Sequence, residues 1–249
     1  MSSSSASADA CVAFHGVSKN FGDLVVFNDL SLILPSGKTT AIVGASGSGK
    51  TTLLQMVNAL EHPDQGLVEV FGEPIPQDQL QYFRHRIGYA VQGAGLFPHL
   101  SARDNVVLVA RLQGWSEARI QQRFAELLEA MALPASLAQR PPRELSGGQQ
   151  QRLGLCRALM FEPDLLLLDE PFSAVDPVTR LGLYEVFEEV QRGQAISTLL
   201  VTHDMREARR LADVLVVLEH GQIIQSGSPD DVFAAPASPY VERLIASVA

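Results

Sequence analysis

The stretch GKTTAIVGASGSGKTTLLQMVNAL, residues 37–60, decides the fold because it combines three elements in one run. Its apolar start predicts a buried strand that runs into Val43, and its end predicts a helix from about Lys50 to Leu60. The loop between them, GASGSGKT, satisfies G-x-x-x-x-G-K-[ST] in the strand–loop–helix context that this pattern requires. Glycines let the backbone surround phosphate groups, and a helix N-terminus adds a partial positive charge. The stretch therefore predicts a phosphate-binding loop (P-loop).

A P-loop of this type implies ATP and Mg²⁺ as ligands. We expect the Lys50 ammonium group to reach the β- and γ-phosphates and the Thr51 hydroxyl to bind Mg²⁺. The residues predicted to form this part of the nucleotide site are Gly44, Ala45, Ser46, Gly47, Ser48, Gly49, Lys50, Thr51 and Thr52.

Two adjacent carboxylates follow the apolar run LLLLDEP, residues 165–171. The run predicts a buried strand, and neighbouring side chains in a strand point to opposite faces. We therefore expect Asp169 to bind Mg²⁺ and Glu170 to face water as a general base. General-base catalysis typically contributes roughly 10²–10⁴ in rate.

A second turn-and-helix motif, ELSGGQQQR, occupies residues 144–152. Its Ser-Gly-Gly turn precedes a predicted helix and would also aim backbone N–H groups at an anion. One nucleotide does not easily need two such cradles from one chain. We therefore predict a dimer in which the second cradle faces the P-loop of the other subunit.

The LSGGQ motif, with the P-loop upstream and LLLLDEP downstream, resembles the ATP-binding cassette (ABC) family, the motor subunits of membrane transporters. The resemblance covers residues 12–245. It implies that two ATP molecules are buried at a two-fold interface, where the LSGGQ motif closes on the γ-phosphate bound by the opposite subunit and the SAVDP segment crosses the interface. The residues so implied are Ser146, Gly147, Gly148, Gln149 and Asp176.

The same resemblance implies three further site residues. Phe21 would stack on adenine, at a position where many relatives have Tyr. Gln92 would sense the γ-phosphate and Mg²⁺, as a catalytic residue and a metal ligand. His203 would contact the γ-phosphate and complete the catalytic set with Gln92 and Glu170.

The chain pattern predicts an α/β fold: a P-loop NTPase core with a mainly parallel sheet, an N-terminal antiparallel β subdomain and an inserted α-helical subdomain at about residues 93–160. Ser101 and Ser116 are predicted N-caps in the insertion. Helical spacing predicts one buried stripe, formed by Ile120, Phe124, Leu127, Leu128 and Met131. We expect residues 11–249 to form a single nucleotide-binding domain behind a disordered tail at residues 1–10.

Composition limits the function classes. The net charge of −9 argues against a nucleic-acid partner. Two widely spaced cysteines, Cys11 and Cys156, predict free thiols. No signal peptide or membrane-spanning run is visible, so the resemblance implies a peripheral protein at the cytoplasmic face of the inner membrane, held there by permease subunits.

A narrower resemblance concerns the transported solute. VQGAGLFPHLSARDNV, residues 91–106, is typical of importer ATPases. Segments 56–66, 97–115 and 176–191 are similar to subunits that energise uptake of quaternary amines such as glycine betaine, choline and carnitine, and Gly114-Trp115 weighs most. The implied partners are integral membrane permease subunits, a second ABC subunit in a homodimer, and a periplasmic or extracytoplasmic substrate-binding protein.

Three alternatives remain open from the sequence. An ABC ATPase for another solute class, such as amino acids, shares the same motifs. A soluble ABC ATPase acting in translation or DNA repair usually has two cassettes or a long coiled-coil insert. A non-hydrolysing subunit would be expected to lose Lys50, Glu170 or His203, and all three are present.

Overall fold

The computed structural model describes residues 10–173, 175–194 and 196–247 of the 249-residue chain. The chain forms two compact units: a first unit of Met1–Arg84 and Ile196–Ala249, and a second unit of His85–Ala195. The single domain predicted over residues 11–249 stays a prediction. Of the tail predicted over residues 1–10, residues 1–9 lie outside the described residues, and Ala10 begins the first strand.

The elements alternate between strands and helices along most of the chain. In order they are β1 (Ala10–Phe21), β2 (Leu24–Pro35), β3 (Thr39–Val43), α1 (Lys50–Val57), β4 (Gln65–Val70), β5 (Glu73–Pro74), α2 (Leu80–His85), β6 (Ile87–Ala90), α3 (Ala102–Leu112), α4 (Glu117–Ala130), 3₁₀ turns at Ala135–Leu137 and Pro142–Glu144, α5 (Gly147–Leu159), β7 (Leu165–Asp169), α6 (Pro177–Gln194), β8 (Ser197–Thr202), α7 (Met205–Leu211), β9 (Val214–Glu219), β10 (Gln222–Gly227), α8 (Pro229–Ala234) and α9 (Pro239–Ala246).

The N-terminal strands of the first unit form an antiparallel sheet in the order β2-β1-β4-β5. Within β2, Leu30, Leu32 and Leu34 are buried while the intervening Ser31 and Ile33 are exposed. This alternation is the two-residue period of a strand with one face on the core. The predicted antiparallel β subdomain is confirmed.

The remaining strands pair mainly in parallel. In the first unit β3 pairs in parallel with β8 and β9, and β10 adds to β9 in antiparallel orientation. In the second unit β6 and β7 are parallel. Every residue of β3, β7 and β8 is buried, as expected for parallel strands covered on both faces. The predicted α/β class with a mainly parallel sheet is confirmed.

The helices α3, α4 and α5 of the second unit lie within the predicted insertion. The Ser101 side chain accepts a hydrogen bond from the Asp104 N–H, and that of Ser116 accepts one from the Arg119 N–H, so both predicted N-caps are present. The predicted apolar stripe of α4 is buried throughout. The predicted end of α1 was less accurate: the helix was expected to run to about Leu60 and stops at Val57.

Both cysteines are free and buried. Burial raises the pKa of the Cys156 thiol to about 12, so the neutral thiol is the stable form inside the second unit. Within residues 10–173, 175–194 and 196–247, no helix is long and apolar enough to cross a bilayer.

Asn105 fixes the loop that precedes α3. Its side chain is fully buried; Oδ1 accepts from the Phe97 N–H at 2.6 Å, and Nδ2 donates to the carbonyl oxygens of Phe97, Leu100 and Ser101. One amide therefore contacts four backbone groups of a segment with no regular secondary structure, and its two N–H hydrogens are shared among three carbonyl oxygens.

Asn105→Ala should lower the free energy of unfolding by about 2–4 kcal/mol, because it removes a fully buried side chain together with its hydrogen bonds to the loop backbone. Urea denaturation monitored by circular dichroism would measure the loss. The matched control is Gln121→Ala on the exposed face of α4, where we expect a change within about 0.5 kcal/mol. Equal losses of stability in the two variants would contradict the role of Asn105 in holding the loop before α3.

Candidate nucleotide site

The predicted site residues are distributed over both units. The first unit contains Phe21, the P-loop (residues 44–51), Thr52 and His203. The second unit contains Gln92, Ser146, Gly147, Gly148, Gln149, Asp169, Glu170 and Asp176.

The P-loop closes around the side chain of its own lysine. Lys50 is only 7% exposed, and its Nζ donates to the carbonyl oxygens of Gly44 and Ala45, both at 2.8 Å. A buried ammonium group requires such partners because desolvation of an unpaired charge is costly. The lysine thereby holds the first turn of the loop in a fixed conformation.

Two glycines are required by the geometry of the loop. Gly49 has a φ of 102°, in the left-handed region, and a Cβ there would come within 2.5 Å of Phe27 Cζ. A Cβ on Gly44 would come within 2.1 Å of the Leu218 carbonyl oxygen. The pattern G-x-x-x-x-G-K therefore reflects the packing of the loop as well as access for a ligand.

The donors around the loop fit a polyphosphate. Gly49 is the N-cap of α1 and has no side chain with which to satisfy the first N–H groups of the helix, and the first turn carries no acidic residue. The Ser48 hydroxyl is buried, 4% exposed, and has no hydrogen-bond partner among the described residues. Thr51 is exposed in the first turn of α1, and its hydroxyl is an oxygen donor suited to Mg²⁺. A phosphate anion is the ligand that the backbone N–H groups of a helix N-terminus accommodate.

The two carboxylates of the second unit occupy different backbone environments. Asp169 is the last residue of β7 and is 7% exposed, whereas Glu170 follows the strand with a φ of 47°. Strand alternation does not apply at Glu170, because β7 ends at Asp169 and Glu170 begins a turn, so the opposite orientation of the two carboxylates stays a prediction. The Ser173 N–H and hydroxyl both bond to the Glu170 carbonyl oxygen and hold this turn. A non-glycine residue in the left-handed region is strained, and such strain is often found at functional sites.

Gln92 contacts the predicted general base directly. Its Nε2 donates to Glu170 Oε2 at 3.0 Å, so the two predicted catalytic side chains of the second unit are in contact. Nearby on β6, burial and the negative charge of Asp169 raise the pKa of Tyr89 to about 12. Tyr89 therefore stays a neutral phenol beside the carboxylate.

The loop after Gln92 is fastened to α5. Arg157 donates to the carbonyl oxygens of Ala94 at 2.9 Å and Gly95 at 2.8 Å, and burial lowers the pKa of its guanidinium. Ala94 itself is in the left-handed region with a φ of 63°. The guanidinium thus connects this loop to the helix that begins at the LSGGQ motif.

The LSGGQ segment is a capped helix N-terminus. Ser146 Oγ accepts from the Gln149 N–H at 3.2 Å, and Gln149 Oε1 accepts from the Ser146 N–H at 3.0 Å, which is a capping box. Ser146 and Gly147 are exposed, whereas a Cβ on Gly148 would come within 2.8 Å of Thr179 Cγ2. The motif therefore presents an exposed, preorganised N-terminus.

Asp176 also acts as a helix cap. Its Oδ1 accepts from the Thr179 N–H at 3.0 Å at the start of α6. This role in the fold was not predicted from the sequence, which assigned Asp176 only to the dimer interface.

A buried polar chain fixes the backbone on both sides of His203. The Thr202 hydroxyl donates to Glu207 Oε2 at 2.6 Å and accepts from the Asp204 N–H at 3.0 Å, and Glu207 is buried. Asp204 caps α7 through the Arg206 N–H. His203 itself is exposed between Thr202 and Asp204. The sequence reasoning missed Thr202 and Glu207, although the spacing D-x-x-E over residues 204–207 is a helix-start pattern.

Phe21 ends β1 and is 45% exposed, so an aromatic face is accessible as predicted for adenine stacking. Lys19, two residues earlier, places its Nζ 4.9 Å from the centre of the Phe21 ring. The same ammonium group bonds to the His62 carbonyl oxygen and pairs with Glu61. The lysine is therefore fixed against one side of the ring.

The fold and these motifs agree with comparisons to known proteins. Residues 27–173 match the family described as ABC transporter. Over 232 residues the chain is 44% identical to the glycine betaine uptake system ATP-binding protein YehX of Escherichia coli K12, with 93% of this chain and 75% of that protein covered. The chain therefore belongs to the ABC transporter family, and it is an ATPase cassette of that family.

Two further relatives differ in the solute that they are named for. The choline transport ATP-binding protein OpuBA of Bacillus subtilis 168 is 42% identical over 94% of this chain. The Fe(3+) ions import ATP-binding protein FbpC of Pseudomonas fluorescens Pf-5 is 45% identical over 89% of it. The chain spans 62% of the length of each, less than two thirds.

A solved structure of the same class is the dimeric ATP-binding cassette MJ0796 in a post-hydrolysis state with ADP and phosphate. It is 28% identical, has a TM-score of 0.80, and the match covers 88% of this chain and 98% of that one.

Thr202→Val should lower kcat for ATP hydrolysis by about tenfold or more, because it leaves the Asp204 N–H and the buried Glu207 carboxylate without the hydroxyl that orders the His203 backbone. Steady-state ATPase assays with a thermal melt would measure both effects. Thr202→Ser, which keeps the hydroxyl, should retain most of the rate. If both variants hydrolysed ATP at the natural rate, the hydrogen bonds of Thr202 to Asp204 and Glu207 would have no role in positioning His203.

Proposed function

We propose that the chain is the ATP-hydrolysing subunit of an importer for quaternary amines of the glycine betaine and choline class. The observation that carries this proposal is the similarity over more than nine tenths of the chain to YehX and OpuBA. The similarity is accompanied by a complete set of the residues that ATP hydrolysis requires: Lys50, Asp169, Glu170 and His203.

The P-loop residues serve as the phosphate site. Lys50, held by the carbonyl oxygens of Gly44 and Ala45, supplies positive charge to the β- and γ-phosphates, and the N-terminus of α1 supplies N–H donors. Mg²⁺, when bound, neutralises phosphate charge in the transition state. Thr51 and Asp169 carry the oxygen ligands suited to holding it, with Gln92 as a further amide oxygen donor.

Glu170 serves as the general base that accepts a proton from the attacking water. Its turn is fixed by Ser173, and its carboxylate is oriented by the hydrogen bond from Gln92. The exposed His203, positioned by Thr202, serves as the γ-phosphate contact. Phe21 offers its accessible ring face to adenine. Base–aromatic stacking uses the face of the ring, which Phe has as well as Tyr.

The second cradle serves a neighbouring copy of the chain. The capping box orders the exposed N-terminus of α5, which is a preorganised site for an anion. A dimer is also the state of the MJ0796 cassette bound to ADP and phosphate. In the proposed two-fold homodimer, Ser146, Gly147, Gly148 and Gln149 of one subunit complete the site of the other. Asp176 lies at the same interface.

The proposed partners are integral membrane permease subunits and an extracytoplasmic substrate-binding protein, with the cassette at the cytoplasmic face of the membrane. A second candidate is an iron importer, because FbpC is as similar in identity as the amine importers are. Catalytic residues do not contact the solute, so only uptake distinguishes the two.

Replacing Glu170 with Gln should lower kcat at least about 100-fold while leaving ATP affinity within a few fold, because the amide cannot accept the proton. Cells carrying Glu170→Gln in place of the natural chain should lose uptake of labelled glycine betaine or choline. Glu189→Gln, a charge-matched substitution on α6, is the control and should retain both activities.

Full ATP turnover by the Glu170→Gln variant would remove this residue from the mechanism. Normal amine uptake together with lost iron uptake would replace the proposed solute with iron and leave the ATPase assignment intact.

Mixing Lys50→Ala chains with Ser146→Arg chains should restore activity that neither variant has alone. Each site combines the P-loop of one subunit with the LSGGQ motif of the other, so in either homodimer both sites carry one substitution. In the mixed dimer one site carries both substitutions and the other site carries none. A 1:1 mixture should recover up to about a quarter of the natural rate. Normal hydrolysis by each variant alone as a monomer would contradict the shared sites.

A further inference from the structure

The C-terminal helix α9 is anchored in the first unit by its own set of contacts. Ser238 caps it by accepting from the Val241 N–H, and Val241 is fully buried. Gln225 of β10 holds the segment before it, donating to the Ala235 carbonyl oxygen at 2.9 Å and accepting from the Ala237 N–H at 2.8 Å. The segment that leads into α9 is therefore fixed to β10.

Tyr240, in the first turn of α9, contacts the P-loop. Its hydroxyl oxygen accepts a hydrogen bond from the Ala45 N–H at 2.8 Å, across 195 positions of sequence. The Ala45 carbonyl oxygen in turn accepts from Lys50 Nζ at 2.8 Å and from the Ser48 N–H at 3.2 Å. Ala45 is thus held on its N–H side by α9 and on its carbonyl side by the loop.

We propose that Tyr240 is a positioning residue of the nucleotide site, which holds the second residue of the P-loop in its phosphate-binding conformation and couples α9 to nucleotide binding. The proposal rests on the role of the P-loop given above. The Tyr240 hydroxyl bonds to the loop backbone at Ala45, and it acts on the nucleotide site through that residue.

The physical consequence concerns affinity more than chemistry. A loop that is already ordered loses less conformational entropy when a ligand binds, so removing one of its fixed points weakens binding. The bond involves neither Glu170 nor His203, so the rate of the chemical step should change little when it is removed. Because coupling free energies are reciprocal, nucleotide binding must equally stabilise the contact between α9 and the loop.

Tyr240→Phe removes only the hydroxyl, and Ala45 is exposed, so that water can replace the lost acceptor and the chain should still fold. We expect the Kd for the non-hydrolysable analogue AMP-PNP, measured by calorimetry on the full chain, to rise about threefold to fivefold. The KM for ATP should rise by a similar factor while kcat stays within about twofold. Tyr82→Phe, at a tyrosine that is 60% exposed in α2, is the matched control and should change neither constant.

Amide hydrogen exchange distinguishes coupling between α9 and the nucleotide site from a purely structural role of Tyr240, because only coupling makes exchange in α9 depend on nucleotide. Saturating AMP-PNP should slow exchange in α9 of the natural chain, and this effect should be lost in Tyr240→Phe even at saturation. A variant with a lower melting temperature but unchanged Kd, KM and nucleotide-dependent exchange would overturn the proposal.

Lys50→Ala separates this proposal from the function on which it rests. Loss of AMP-PNP binding in Lys50→Ala with unchanged binding in Tyr240→Phe would reject only the role of Tyr240. Normal binding in Lys50→Ala would reject the P-loop assignment itself.

Discussion

The buried ammonium group of Lys50 is the constraint on which the first unit's site depends. A charge at 7% exposure must be paired, and here its partners are two backbone carbonyl oxygens of the loop that leads to it. That arrangement requires the chain to turn back on itself between β3 and α1. The same loop packs against the Leu218 carbonyl oxygen and the Phe27 ring, which leave no room for a Cβ at Gly44 or Gly49. The glycine pattern, the buried lysine and the open helix N-terminus are consequences of one loop geometry.

The parts of the site that sequence alone predicted are those determined by local spacing. The P-loop, the strand before Asp169 and the helix after the LSGGQ turn each depend on a few consecutive residues, and all three formed where expected. The antiparallel sheet and the helical segment followed from periodicity in the same way. The strand assumed at Glu170 also failed for a local reason: alternation applies only inside a strand, and β7 ends one residue earlier.

The supporting residues could not be predicted because their partners are distant in sequence or unremarkable in composition. Tyr240 and Ala45 are 195 positions apart, and Arg157 holds a loop 62 positions away. Glu207 lies only five positions from Thr202, yet a D-x-x-E pattern predicts that a glutamate bonds the cap backbone. Here the Asp204 N–H donates to the Thr202 hydroxyl, and Glu207 accepts a hydrogen bond from that hydroxyl. Tertiary packing decides such choices.

Several residues of the family motifs are helix caps in this structure, which changes how their variants must be interpreted. Ser146 and Gln149 cap α5 through each other, Asp176 caps α6, and Asp204, next to His203, caps α7. Removing such a cap costs about 1 kcal/mol of stability even where no ligand is lost. An alanine variant at one of these residues can therefore lose activity because the helix cap is lost or because the ligand contact is lost. Substitutions that preserve the cap and block the ligand distinguish them, and at Ser146 an Asp variant meets this condition because its carboxylate still caps the helix while repelling a phosphate.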